Sequence, residues 1–188
     1  MQNSIPSIYC YVSEYNLSDL SKLGKNINII YRNYQNTDHL NNLIKLKLFC
    51  KKNSNKLYLS NNIKLSIKLS LDGVYIPSFN NRLNYCGIYN LPKNFKIIGS
   101  AHNLKEIRIK ILQGCKEVFL SPIFRVEKTK NFLGIVKFNL IKLKSKTNLI
   151  ALGGINQKNL KKLKYLGLKG FASISWAKKN GLRNLRPF

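Results

Sequence analysis

The sequence of 188 residues predicts an α/β protein that folds as one compact (β/α)8 barrel over residues 1–188. Two observations carry this prediction. Eight short β-rich runs alternate with helix-like segments, and several runs are apolar at nearly every position, as parallel strands buried on both faces are. A doubly wound open sheet is the structural alternative. The glycine-rich fingerprint that would follow its first strand is absent, so we favour the barrel.

Each predicted strand has three to six residues, is rich in Ile, Leu, Val, Tyr or Phe, and is bounded by Gly, Ser, Asn or Pro. In chain order the predicted strands are Ser7–Val12, Asn28–Tyr31, Lys56–Leu59, Val74–Ile76, Phe95–Ile98, Glu117–Leu120, Leu149–Leu152 and Phe171–Ile174.

The clearest helix is predicted over residues 103–114. Its start has a capping-box pattern, with Asn103 as the cap and Glu106 three residues later. Gly114 marks its end. The residues expected on its buried face are Leu104, Ile107, Ile111 and Leu112.

Two more helices follow from the same signals. Residues 156–167 begin with Asn156 as the cap and end at Gly167. Their inward-facing residues are predicted to be Leu160, Leu163 and Leu166. Residues 37–52 form the third helix, and its apolar residues are Leu40, Leu43, Ile44 and Leu48. The segments without a clear preference are 61–70, 80–94 and 135–146.

The charge balance is strongly basic, with 33 Lys and Arg against 7 Asp and Glu, for a formal charge of +26. Such an excess is typical of proteins that neutralise nucleic-acid phosphates. Here, however, Lys greatly outnumbers Arg, and the lysines are spread over every helical segment rather than gathered in one block. We therefore interpret the charge as solvated helix faces, and nucleic acid is disfavoured as a partner.

Other features of the composition exclude several classes of protein. A hydrophobic fraction of 44% argues against disorder. No apolar run approaches the roughly 20 residues of a membrane-spanning helix, and residues 1–12 lack the basic start of a secretory signal. The cysteines lie too far apart for a zinc ribbon or a redox pair, so we expect buried thiols and a cytoplasmic location. They are Cys10, Cys50, Cys86 and Cys115.

Polar residues that follow the strands are the candidates for function, because in such a barrel the chemistry lies at the carboxyl ends of the strands. They supply one acid against several cations, hydroxyls and amides, which favours a phosphate-binding mouth over a pair of catalytic carboxylates. The principal candidates are Arg32, Asn61, Asn80, Ser100, His102, Thr129, Lys130, Gly153, Gly154 and Ser175.

Several of these candidates have two interpretations. Gly153 and Gly154 either let backbone N–H groups approach a phosphate or form a plain turn before a capped helix. Arg32 is either a pyrophosphate clamp or a surface ion-pair residue, and the scarcity of acids favours the clamp. His102 is either an acid/base group or a packed residue that precedes a helix, and the second is preferred.

Three blocks at these strand ends resemble the thiamine-phosphate synthase/TenI family. They are Gly99-Ser100-Ala101-His102, Phe119-Leu120-Ser121-Pro122-Ile123-Phe124 and Ala151-Leu152-Gly153-Gly154-Ile155. Two further stretches are similar to the family's D-G-V-H strand start and to its Q-Y-R-E-K stretch, namely Asp72-Gly73-Val74-Tyr75 and Tyr31-Arg32-Asn33. The spacing of the blocks matches over about residues 25–177.

The resemblance implies a (β/α)8 barrel that joins hydroxymethylpyrimidine pyrophosphate to thiazole phosphate. In that family pyrophosphate departs, a pyrimidine cation forms, and the thiazole nitrogen captures it. The implied partners are therefore phosphorylated pyrimidine and thiazole small molecules. Carried over by position, the catalytic residues are Arg32, Ser100 and Lys130, which would hold the pyrophosphate together with Thr129. The resemblance implies that Gly154, Ile174 and Ser175 bind the thiazole phosphate through backbone N–H groups. The other implied substrate-binding residues are His102 and Gly153.

The chain departs from the family pattern in three places. The two Asp positions that bind Mg²⁺ correspond to Asn61 and Asn80, so the implied Mg²⁺ would meet neutral amides, which are poor ligands for it. The family's Gln and Lys on either side of the Arg become Ile30 and Tyr34. The tautomerase branch has a His where this chain has Pro122, which disfavours a thiazole tautomerase. Synthase activity is the first hypothesis, and a non-catalytic or repurposed barrel that binds a phosphorylated ligand is the alternative.

Overall fold

A computed structural model describes residues 7–34, 39–83, 85–127 and 131–173 of the chain. Eight parallel strands form one closed barrel in sequence order, in which β8 pairs with β1. The predicted (β/α)8, or TIM, barrel is therefore confirmed. The strands are β1 Ser7–Val12, β2 Asn28–Tyr31, β3 Lys56–Ser60, β4 Gly73–Ile76, β5 Lys96–Ala101, β6 Glu117–Leu120, β7 Asn148–Leu152 and β8 Gly170–Ser173.

The largest difference from the predicted strands concerns β5, which continues past Ile98 to Ala101. Gly99 and Ser100 are residue types that are common in loops, but here they pair with Val118 and Phe119 of β6. Ser100 is thus a strand residue held in register rather than a loop residue.

Helices occupy the connections between the strands. They are α1 Leu17–Ser21, α2 His39–Lys52, α3 Ile63–Lys68, α4 Tyr85–Ile88, α5 Leu104–Leu112, α6 Gly134–Lys144 and α7 Gln157–Leu160, which continues as a 3-10 helix over Lys161–Leu166. The predicted caps are confirmed: Asn103 accepts from the Glu106 N–H, and Asn156 forms a capping box with Asn159. Helix α1 was not predicted. Among the described residues, no helix is long and apolar enough to cross a membrane.

The inside of the barrel is filled mainly by aromatic rings. Side chains alternate along each strand, and the inward positions carry Tyr9, Tyr11, Tyr58, Tyr75 and Phe119 with Ile30, Ile98 and Ile150. Several rings meet edge to face, with centroids 4.8 Å apart for Tyr9–Phe119 and 5.5 Å apart for Tyr11–Tyr75. Such contacts add to the free energy gained by burial. The barrel is therefore a packed core, and Tyr11, Tyr75 and Phe119 form its upper layer.

The buried face of α2 differs from the predicted one. Leu43 is buried as predicted, together with Leu46 and Cys50, whereas the predicted residues Leu40, Ile44 and Leu48 are exposed. Both sets have helical spacing, because this helix carries two apolar stripes. Spacing alone could not decide which stripe meets the barrel.

The buried face of α5 also differs. Ile107 is buried as predicted, but Ile111 and Leu112 are 39% and 66% exposed. Lys110, which the sequence placed among the solvated lysines, is fully buried. The helix is turned so that this lysine reaches the loop after β4, where its ammonium finds backbone acceptors.

The amino-terminal end of the barrel uses two of the few acids for structural contacts. Glu117 accepts hydrogen bonds from Tyr9 and, at 2.6 Å, from Lys96. Asp72, which directly precedes β4, accepts from the Leu57 N–H of β3 at 2.8 Å. These acids lie away from the mouth, so they do not supply catalytic carboxylates there.

Candidate functional site

Arg32 and Ser100 lie on the same inward-facing side of the barrel wall at its carboxyl end. Each follows an interior residue by two positions, Ile30 in one case and Ile98 in the other, so each continues the inward alternation. The guanidinium carbon of Arg32 lies 5.1 Å from the centroid of the Tyr11 ring, a cation–π distance. The two predicted residues therefore stand over the aromatic layer at the carboxyl end of the barrel.

The tyrosines beneath them are protonated. Burial raises the pKa of Tyr11 well above its ordinary value. Burial also raises the pKa of Tyr75, although the neighbouring Ser100 and Tyr11 hydroxyls and the Arg32 charge act in the opposite direction. The floor of the mouth is thus neutral, and Arg32 supplies the charge there.

Asn61 and Asn80 follow β3 and β4 and are joined to each other. The Asn80 amide donates to Asn61 Oδ1 at 2.6 Å and to the Tyr85 hydroxyl at 2.7 Å. Its Oδ1 accepts from the Arg82 N–H at 2.9 Å. Both amide oxygens therefore already accept a hydrogen bond from an N–H group.

This residue set does not fit the Mg²⁺ ion that the resemblance implies. Mg²⁺ needs several oxygen ligands at short range and usually takes one or two carboxylates. Asn61 and Asn80 are neutral, and their oxygens face N–H donors. Within the described part of the chain, no three His, Cys, Asp or Glu side chains come together in a metal-binding group.

Two exposed aromatic side chains stand at the rim beside the amide pair. The Tyr34 hydroxyl lies 2.8 Å from Ser60 Oγ, and its ring meets the Phe79 ring edge to face at 6.1 Å. Both rings are more than half exposed. The two rings therefore give this side of the rim an aromatic surface.

His102 bridges two loops of the mouth. Its Nδ1 lies 2.9 Å from the Ser121 carbonyl oxygen, which can only accept, so Nδ1 carries the proton. In the neutral ring Nε2 then accepts from the Ser78 hydroxyl at 3.3 Å. Its backbone N–H donates to Glu106. These contacts hold the exposed His102 ring in place before α5.

Gly153 and Gly154 form the turn after β7, and the structure adds a second reason for glycine there. Both have positive φ, 95° and 68°. A Cβ on Gly154 would lie 2.5 Å from the Arg125 carbonyl oxygen, and one on Gly153 would lie 2.8 Å from Pro122 Cβ. The loops after β6 and β7 therefore touch through their backbones, and glycine is needed for that contact.

We expect Gly154→Ala to weaken binding of inorganic phosphate at least about 10-fold and to lower thermal stability, because the added Cβ must displace the loop after β6. Gly167→Ala is the matched control. Gly167 also has positive φ, but the nearest atom to its Cβ position is a lysine nitrogen 3.7 Å away. Calorimetry and thermal melts compare the two. Equal phosphate affinity in the two variants would contradict the assignment.

Four predicted residues lie outside the described residues, namely Thr129, Lys130, Ile174 and Ser175. Conversely, sequence reasoning missed Phe79 and Lys110. Phe79 could have been noticed as a large aromatic residue in a loop after a strand. Lys110 could have been noticed because it lies three residues after Ile107, on the face that the helix pattern reserves for apolar residues.

Comparisons with known proteins agree on one family. A family model described as thiamine monophosphate synthase matches residues 21–177. A thiamine-phosphate synthase from Prochlorococcus marinus is 31% identical over 133 residues, covering 69% of this chain and 38% of that protein. The protein of the same name from a second strain is 29% identical over 141 residues, covering 73% and 40%. The chain thus spans about two fifths of the length of these curated relatives.

Solved structures give the same fold. Thiamine phosphate pyrophosphorylase from Pyrococcus furiosus superposes with a TM-score of 0.73 at 16% identity, covering 95% of this chain and 90% of that chain. The protein of the same name from Bacteroides thetaiotaomicron gives 0.58 at 16% identity, covering 90% and 82%. At these identities the likeness concerns the fold alone.

Proposed function

Because the chain belongs to the thiamine monophosphate synthase family, we propose that it joins a pyrimidine pyrophosphate to a thiazole phosphate and releases pyrophosphate. The observation that carries this proposal is that Arg32 and Ser100 both lie at the carboxyl end of the barrel, above its aromatic interior. A cation and a hydroxyl on one inward face suit an anionic leaving group, and they need no nucleophile beside them.

The proposed reaction balances without a proton donor. The bond between the pyrimidine methylene carbon and the pyrophosphate oxygen breaks, and its electron pair leaves with the pyrophosphate. The lone pair of the thiazole nitrogen then forms the new carbon–nitrogen bond. Arg32 stabilises the negative charge that grows on the leaving group, and Ser100 donates a hydrogen bond to it. The closed aromatic layer below keeps water from the cation.

The remaining substrate contacts belong to the same proposal. Thr129 and Lys130 would add a hydroxyl and a second cation to the pyrophosphate. The backbone around Gly153 and Gly154, with Ile174 and Ser175, would bind the thiazole phosphate after β7 and β8, where such barrels commonly bind phosphate. The two anionic groups would then lie on different sides of the mouth.

The second candidate is a barrel that binds a phosphorylated ligand without turning it over. The amide pair favours it, because Asn61 and Asn80 offer no charge to bridge a metal to pyrophosphate.

Incubation of the purified protein with both precursors, with and without Mg²⁺, tests the two candidates. The first predicts thiamine phosphate in both conditions, with kcat/KM lowered about 10²-fold in Arg32→Ala. Arg108→Ala is the control, because Arg108 is exposed on α5. Ligand binding by calorimetry without product supports the second candidate. Absence of both product and binding contradicts both.

A further inference from the structure

Lys110 is a buried lysine on the barrel-facing side of α5. Its side chain is 0% exposed. Its ammonium donates to the Pro77 carbonyl at 2.7 Å, to the Asn80 carbonyl at 2.7 Å and to Gln113 Oε1 at 2.9 Å. All three donors are therefore used. Neither of the two ion pairs among the described residues involves Lys110, so carbonyl dipoles compensate its charge.

Gln113, one turn later, completes the arrangement. It is also fully buried, and its amide donates to the Asn80 carbonyl at 2.8 Å and to the Arg82 carbonyl at 2.7 Å. Two side chains of α5 thus hold three carbonyls of the loop after β4. Buried charged and polar groups are costly unless fully paired, and this set is paired on every side.

The loop held in this way carries part of the candidate site. Residues 77–82 include Phe79 at the rim and Asn80 of the amide pair. In barrel order the ends of β3 and β4 lie between those of β2 and β5, which carry Arg32 and Ser100. A pyrophosphate held by both of those residues would therefore lie beside this loop.

We propose that Lys110 and Gln113 are positioning residues, which order the loop after β4 from beneath and so set the pyrophosphate half of the site. This inference rests on the proposed function for its ligand but not for the ordering of the loop. The Lys110 ammonium orders this loop by binding its backbone carbonyls, whereas a metal ion at this position would order it by binding carboxylates.

The groups that face Lys110 agree with a cation there. Its stem packs against Gly99 of β5, where a Cβ would lie 2.9 Å from Lys110 Cδ and from Cys115 Sγ. Burial lowers the pKa of Lys110 to about 8, while Cys115 and Glu106 act in the opposite direction. The ammonium form therefore predominates at pH 7.

Lys110→Met tests the proposal, because it keeps the length of the stem and removes the donors. Lys105→Met is the matched control, which removes the same charge from an exposed position of the same helix. Hydrogen exchange of the ligand-free protein is followed by mass spectrometry over residues 77–83. We expect at least about 10-fold faster exchange there in Lys110→Met than in Lys105→Met, since hydrogen bonds to a charged group are lost.

Calorimetry with inorganic pyrophosphate and inorganic phosphate gives the second readout. Lys110→Met should bind pyrophosphate about 10-fold to 100-fold more weakly and bind phosphate at the β7 loop unchanged. A general loss of stability would weaken both. If Lys110→Met does not fold, Gln113→Met replaces it, with a smaller effect in the same loop. Unchanged loop exchange in the folded variant overturns the proposal. If the loop responds but the wild type binds no pyrophosphate, the positioning role stands and the proposed function fails.

Discussion

Asn61→Asp and Asn80→Asp, introduced together, are expected to make both the stability and the turnover of the protein depend on Mg²⁺. The double variant replaces an amide hydrogen bond of 2.6 Å with two facing carboxylates. At about 4 Å two like charges repel by about 4 kcal/mol at an effective dielectric constant near 20, and exposure to water reduces this to roughly 1–2 kcal/mol. For a chain of this size that corresponds to a fall of roughly 2–8 °C in Tm without Mg²⁺.

Mg²⁺ should reverse this loss, because it would neutralise both carboxylates, and it should raise turnover roughly 10²-fold by stabilising the leaving pyrophosphate. Asp tolerates the positive φ of 60° at residue 61 nearly as well as Asn, so the backbone needs no change. Thermal melts with a Mg²⁺ titration, followed by product assays, measure both effects.

The control adds the same charge elsewhere, as Asn90→Asp with Asn94→Asp, two exposed positions in the loop after α4. That variant should show the same weak response to Mg²⁺ as the wild type. A wild type that Mg²⁺ stabilises as strongly as the double variant would show that the amides bind the ion after all. A double variant that gains Mg²⁺-dependent stability but forms no product would favour the ligand-binding candidate.

Gly73→Ala is expected to destabilise the barrel by about 3 kcal/mol or more, among the largest effects of any single methyl group in this protein. A Cβ at that position would lie 2.0 Å from the Lys96 carbonyl oxygen and 2.9 Å from Tyr58 Cδ1. Both neighbours belong to strands paired with β4, so relief requires the barrel wall to open. The expected fall in Tm is roughly 6–12 °C.

Gly87→Ala provides the comparison, since nothing lies within 4 Å of its Cβ position in α4. Alanine is the better helix former, so this variant should be neutral or slightly stabilised. Denaturant unfolding of the two variants separates the steric effect from the general cost of replacing glycine. A Gly73→Ala protein as stable as Gly87→Ala would show that β4 and β5 can separate without loss.

The strands could be predicted because buried parallel strands leave short apolar runs in the sequence, and the barrel order followed from their number. That Asn61 and Asn80 lie close together could be anticipated, because they follow neighbouring strands. That Arg32 and Ser100 face the inside of the barrel could not be predicted from the sequence alone. Alternation along a strand assigns each residue to a face only when the bounds of the strand are known.

Other features could not be predicted because they depend on how helices turn against the barrel. Lysine is usually a solvent-exposed residue type. Lys110 is buried because α5 packs with this side chain against backbone carbonyls of a loop some thirty residues away in sequence. The exposed stripe of α2 and its buried stripe both have helical spacing, so only packing distinguishes them. The pairing of Tyr34 with Phe79 joins two loops that no local pattern connects.

Because the tyrosines inside the barrel are buried, the ultraviolet absorbance of the protein at high pH is a measure of its folding. Burial raises the pKa of Tyr9, Tyr11, Tyr58 and Tyr75 above the ordinary value of 10.0. Above that pH the unfolded chain releases these protons and the folded chain keeps them, so the free energy of unfolding falls as the pH rises. The tyrosinate absorbance of these rings therefore appears only as the barrel opens, in one step with the loss of the fold.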